Sequence, residues 1–100
     1  MLDQLTSAKF LPYLNQKFHI HLETPLEIDL IEVSDLGPEL DAAQAAKMRR
    51  PFSLIFRDPG NTHLAQQIYR IEHAELGTLD IFLVPIGPDE HGMRYQAVFN

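Results

Sequence analysis

Two imidazoles and a carboxylate occupy alternate positions in Lys17-Phe-His-Ile-His-Leu-Glu23. On an extended strand alternate side chains share a face, so His19, His21 and Glu23 would point the same way. Two imidazole nitrogens and a carboxylate oxygen make a workable zinc set. The spacing argues against it, because three such residues along one strand span about 13 Å and one ion cannot touch them all. A metal site here would need His19 and His21 plus a ligand from a neighbouring strand. The same positions are also the polar half of an alternation whose other half is Phe18, Ile20 and Leu22. We read them as the solvent face of a strand and assign no metal.

A second stretch, Gly87-Pro-Asp-Glu-His-Gly92, has the glycine spacing of a phosphate-binding loop. Such a loop continues into Lys-Ser or Lys-Thr and opens a helix, whose free amides hold the anion. Here Met93-Arg-Tyr95 follows and reads as strand, and Asp89 and Glu90 would repel a phosphate. Pro88-Asp89 starts a turn, and Gly92 suits a left-handed position before the next strand. The stretch reads as a solvent-exposed hairpin tip, with Asp89 and Glu90 as surface acids of no structural consequence.

The remaining chemistry is sparse. His73 follows Glu72, but adjacent strand residues face opposite sides, so the two are not a dyad. His73 shares a face with Tyr69 and Ile71 and is expected to be partly buried and hydrogen-bonded. His63 and His91 fall in loops. None of Ser7, Ser34 and Ser53 lies in a Gly-x-Ser-x-Gly elbow. The acids Glu27 and Asp29 suit a surface strand. Arg49 and Arg50 are expected to pair with the chain's own excess acids. No catalytic, cofactor-binding or metal residue is assigned, and no cofactor is expected.

Composition narrows the classes further. One hundred residues make one domain, 1–100, and 45% apolar content supports a core without staples. There is no cysteine, hence no disulfide framework and no thiolate ligand. Fourteen acids against eight bases leave a net charge of −6, and only Arg49 and Arg50 are adjacent bases. Nucleic acid is therefore not an expected partner. An early acid and no apolar run mark the first residues, which do not read as a secretory signal. No stretch approaches the ~18 apolar residues of a membrane helix. A soluble, cytoplasmic protein is expected.

The elements that would position these residues follow from periodicity. Residues 5–14 read as helical, with Thr6 as cap and Leu5, Phe10 and Leu14 on one apolar face. Pro12 removes a hydrogen bond and should split the segment into two short turns, with Asn15 as a left-handed stop. Period two then predicts strands over 17–23, 26–33, 51–58, 67–73, 78–86 and 93–99. In the second, the apolar positions change face near Leu30, which a bulge would explain. Between strands two and three, 36–50 is expected to be a mobile loop in which the alanine run forms a helical turn. Gly77 closes a hairpin after strand four, and Pro85 marks a strand end or bulge. Ile81-Phe-Leu-Val84 is apolar on both faces, so cover on both sides is expected, the outer one from the N-terminal turns. The predicted fold is mainly β, a six-stranded antiparallel small barrel or roll with a short N-terminal helix.

Arg50-Pro-Phe-Ser-Leu-Ile-Phe-Arg57, Ile68-Tyr-Arg-Ile-Glu-His73, Phe82-Leu-Val-Pro-Ile-Gly-Pro-Asp89, Gly92-Met-Arg-Tyr95 and Ala97-Val-Phe-Asn100 carry a resemblance. They resemble a family of uncharacterised bacterial proteins of about this length, a domain of unknown function. Leu5-Thr6 and Phe10 fit it as well, and only the 36–50 loop falls outside. The resemblance brings no catalytic residues. It implies a role in assembling or serving a phage-tail-like appendage. With no polar constellation to support catalysis, the expectation is a non-enzymatic protein-interaction or assembly module. Its partner would be a protein, a further copy of the chain included. The alternatives are a small-ligand-binding β-barrel and, behind it, a hydrolase or metalloenzyme.

Overall fold

The computed structural model describes residues 5–45, 50–60 and 62–99. The chain opens with a single helical turn, α1 (Ser7–Phe10), followed by a 3-10 turn at Leu11–Tyr13 whose start holds Pro12. Proline divides the segment as its missing donor requires. Asn15 has φ 68° and turns the chain into the first strand. Thr6 stands at the N-cap, but its hydroxyl makes no capping bond; instead Ser7 Oγ donates to Asp35 Oδ1 at 2.6 Å and ties the turn to a strand.

Six strands follow: β1 (Lys17–Ile20), β2 (Leu26–Asp35), β3 (Phe52–Asp58), β4 (Gln67–His73), β5 (Gly77–Asp89) and β6 (Gly92–Phe99). A helical turn, α2 (Ala42–Ala45), interrupts the connection from β2 to β3. The strands close into an antiparallel barrel in the order β1-β2-β3-β6-β5-β4, with β4 returning to β1. Four of the six pairings, β1–β2, β2–β3, β4–β5 and β5–β6, join strands consecutive in the chain. The pairings β3–β6 and β1–β4 bring together segments far apart in the chain and make the barrel.

Two bulges reconcile alternation with closure. In β2, Leu30 faces Phe56 while Glu32 faces Ile55, so Ile31 is the extra residue. This lets Leu30 before the bulge and Val33 after it both turn toward the core. In β5, Pro85 faces Tyr95 while Gly87 faces Arg94. Proline cannot donate to a ladder, and Gly87 with φ 101° supplies the twist.

The barrel is filled by side chains. Phe18, Ile20, Ile28, Leu30, Leu54, Phe56, Leu83 and Tyr95 lie inside, and each such apolar side chain contributes roughly 1.5–3 kcal/mol by leaving water. Phe52 and Phe99 stack with centroids 4.7 Å apart, and Phe10 from α1 closes that end at 5.8 and 6.0 Å from them. The N-terminal turns therefore plug one mouth of the barrel and do not cover the outer face of β5. Phe82 on that face stays exposed. Two further expectations give way. Leu14 is exposed, because the chain leaves its turn before Leu14 can reach the core. β1 stops at Ile20, which leaves Leu22 and Glu23 outside the strand.

Part of the long connection is described. Asp41 and Gln44 cap α2 reciprocally, Gln44 N donating to Asp41 Oδ1 and Asp41 N to Gln44 Oε1. Leu36 N donates to Pro51 O, drawing the ends of the connection together. Arg50 reaches Asp35 and the Gly37 carbonyl, the internal pairing expected of it. Arg49 lies outside the described residues, as do 46–48.

Candidate functional site

The histidine motif becomes a ladder across three strands. Glu27 on β2 stands opposite His19 on β1, and Glu72 on β4 stands opposite His19 from the other side. His19 Nε2 lies 3.3 Å from Glu27 Oε2, and His21 Nε2 lies 2.8 Å from Glu72 Oε1. Lys17 adds a bond of 3.0 Å to Asp29, whose carboxylate raises the lysine pKa. Each imidazole thus faces its own carboxylate, supplied by a neighbouring strand and not by Glu23. Among the described residues no three His, Cys, Asp or Glu side chains are grouped to hold a metal ion.

Beside this ladder lies an open groove of about 520 Å³ lined by Gln16, Lys17, His19, Glu72, His73, Ala74 and Glu75. His73 is its one buried histidine. Its Nδ1 accepts from the Glu75 and Leu76 amides, so Nε2 carries the proton and donates to Gln16 Oε1 at 2.8 Å. Tyr13 and Phe18 pack on the ring. Both nitrogens are engaged in holding the β4–β5 turn against the first strand, as a structural histidine requires. Ser7 and Ser34 donate to Asp35 and Glu32, and Ser53 is buried in β3.

The glycine-bracketed stretch proves to be mostly ladder. β5 runs to Asp89 and β6 begins at Gly92, leaving Glu90 and His91 as the turn. Gly92 has φ 149°, and a Cβ there would sit 2.2 Å from the Asp58 carbonyl oxygen. Asp89 is not a free surface acid. Arg57 Nε donates to it at 3.0 Å and the His91 amide at 2.8 Å. The Arg57 bond, then the amide, pull the carboxyl down to about 2. Asp58 is buried and accepts from the Gly60 and Thr62 amides, which shapes the turn after β3. The Tyr95 hydroxyl donates to Thr62 O and accepts from Leu64 N. These bonds hold the turn onto the barrel end.

The other side of the barrel carries a different surface. Ile68 on β4 stands opposite Phe82 on β5. Continuing the Val84–Gln96 register by two residues brings Val98 of β6 beside Phe82. The three form one outward row, 65%, 47% and 50% exposed, over a shallow groove of about 250 Å³. Arg70 and Asp80, paired at 3.3 Å, flank the row along β4 and β5.

Over residues 5–99 the chain matches the family model described as a domain of unknown function (DUF6916). The chain belongs to this family. No curated protein and no solved structure matches it. No helix among the described residues is long and apolar enough to cross a membrane.

What the residue patterns missed in this DUF6916 domain is the apolar row. The signal was present in Ile81-Phe-Leu-Val84, whose alternation points Phe82 away from Ile81 and Leu83. Reading the row also required knowing that Ile68 and Val98 flank Phe82, and that depends on strand register.

Proposed function

We propose that this DUF6916 domain is a non-enzymatic protein-interaction or assembly module that meets its partner on the row Ile68, Phe82 and Val98. The observation that carries the reading is the exposure of three large apolar side chains in register across three strands. Leaving them in water forgoes burial energy that a partner would recover, and aromatic and aliphatic side chains of this kind anchor interfaces. The filled interior favours this reading over a ligand carrier, since Phe18, Phe56 and Tyr95 occupy the space a ligand would need. The phage-tail-like setting implied by the sequence resemblance is one in which such a module would serve assembly.

The test is capture from native cells with tagged wild-type protein and with Phe82→Glu, partners being identified by mass spectrometry. A partner held by wild type and lost with Phe82→Glu, at an unchanged thermal melt, supports the reading. Identical capture by the two proteins sinks it.

A further inference from the structure

The apolar row ends at an unpaired strand edge. β4 meets β1 only at His19–Glu72 and Ile20–Ile71, extended by one bond from His21 N to Arg70 O at 2.8 Å. Beyond that bond β1 has ended, and residues 21–25 are outside any strand and exposed. The N–H and C=O of one residue in a strand point to the same side, and that side alternates. Since Arg70 O points toward β1, the N–H and C=O of Ile68 point there too, into the space that β1 has left. Among the described residues no strand pairs with Ile68 on that side.

Edges of this kind are usually guarded by charge, proline or a bulge. This one is not. Ala65-Gln-Gln-Ile-Tyr-Arg70 contains no acid, no proline and one base, in a chain with fourteen acids and eight bases. Residues 65–68 are all exposed. The edge is therefore a place where two net-negative copies of the chain can approach without opposing carboxylates.

We infer that β4 pairs with β4 of a second copy, antiparallel about Ile68. This rests on the interaction reading of the apolar row and names its occupant. In that register Ile68 faces its counterpart and Gln67 faces Tyr69; the new ladder ends there, because His21 occupies the edge at Arg70 and Gln66 bends before β4, and no like charges oppose each other across it. The two outward rows then join end to end, Phe82–Ile68 of one protomer running into Ile68–Phe82 of its partner. Ile68 N–H and C=O gain ladder partners on both protomers. The contact is short compared with stable interfaces, which places the pair in the weak, concentration-dependent range.

The experiment is sedimentation equilibrium on the full chain across a concentration series reaching the millimolar range, on wild type, Ile68→Pro and Ile68→Lys. Proline removes the outward-facing donor while the β4–β5 bonds remain, and lysine keeps the donor but replaces the apolar side chain with a charge. Wild type is expected to rise from 11.4 kDa toward twice that mass, while both variants stay at the single-chain value with a retained β-sheet circular dichroism spectrum. If Ile68→Pro fails to fold, Ile68→Lys with slowed hydrogen exchange at the wild-type Ile68 amide decides. A wild-type chain that stays monomeric throughout, or a dimer that persists in the folded variants, overturns the inference. A monomeric wild type that still loses a captured partner on Phe82→Glu removes only this dimer and leaves the interaction reading standing.

Discussion

Two outward faces of one barrel obey the same period-two rule and end up opposite in character. Across β2, β1 and β4, the outward positions are Glu27, His19 and Glu72, with Lys17–Asp29 alongside, and each charge finds an internal partner. Across β4, β5 and β6, the outward positions are Ile68, Phe82 and Val98, and these find water. The polar face looked like the chemistry of the molecule because its residue types can do chemistry. Its geometry spends them on cross-strand pairs. The apolar face carries no residue of chemical interest, and it is the one left exposed.

That contrast can be broken in several ways, beginning with the aromatic rings. If the outer row is surface and not an extension of the core, Phe99→Ala and Phe82→Ala must differ sharply. Phe99 is buried against Phe52 and Phe10, so its truncation should cost about 3–5 kcal/mol in urea unfolding. Phe82→Ala should cost about 1 kcal/mol or less, as for surface positions. Equal losses would mean that the row is core and the interaction reading is wrong.

The hairpin that joins β5 to β6 tests how rigidly the barrel end beyond these rows is built. Gly92→Ala would drive a Cβ into the Asp58 carbonyl and require a strained φ, so a loss of at least about 2 kcal/mol is expected. A melt within error of wild type would show that the strand end is free to move.

Smaller effects separate the half-buried Arg57–Asp89 ion pair from the exposed ones of the ladder. Asp89 titrates at about 2 in the fold, below its ordinary 3.8. A lowered carboxyl contributes stability above its unfolded value and loses it as pH falls through the folded one. Wild type should therefore lose stability between about pH 4 and pH 2 more steeply than Asp89→Asn, followed by acid titration of the urea midpoint. Matching slopes would remove the Arg57–Asp89 contact from the account. Least of all, His19→Ala with His21→Ala should change stability by less than about 1 kcal/mol, the range of exposed ion pairs, and leave any captured partner in place. Loss of the partner in this double variant would move the binding face to the ladder.

Much of this architecture was readable before any coordinates. Phe18 and Ile20, Ile28 and Leu30, or Tyr69 and Ile71 declare an inward face by alternation alone. Pro12 splits the N-terminal turns, Pro85 marks a bulge, and Asn15 and Gly77 take positive φ. These are local effects, set by one residue's own dihedral limits or missing donor. His73 was also legible as structural, because it sits on the same strand face as Tyr69 and Ile71.

What resisted reading lay wherever a residue's partner is distant in the chain. Asp89 looked like a loop acid because nothing in its neighbourhood reveals Arg57, which reaches it from β3 past the intervening β6. His21 gave no hint of Glu72, fifty-one residues away. The cover expected over Phe82 went instead to the barrel mouth, where Phe10 meets Phe52 and Phe99. The sequence by itself determined the strands, their inward faces, the bulges and the absence of any recognisable catalytic motif, since period and backbone chemistry are properties of neighbours. Tertiary structure alone decided that β3 lies against β6 and that β1 leaves β4 after Arg70. It alone placed Ile68, Phe82 and Val98 in one row, because register is chosen by the packing of the whole barrel and not by any single strand.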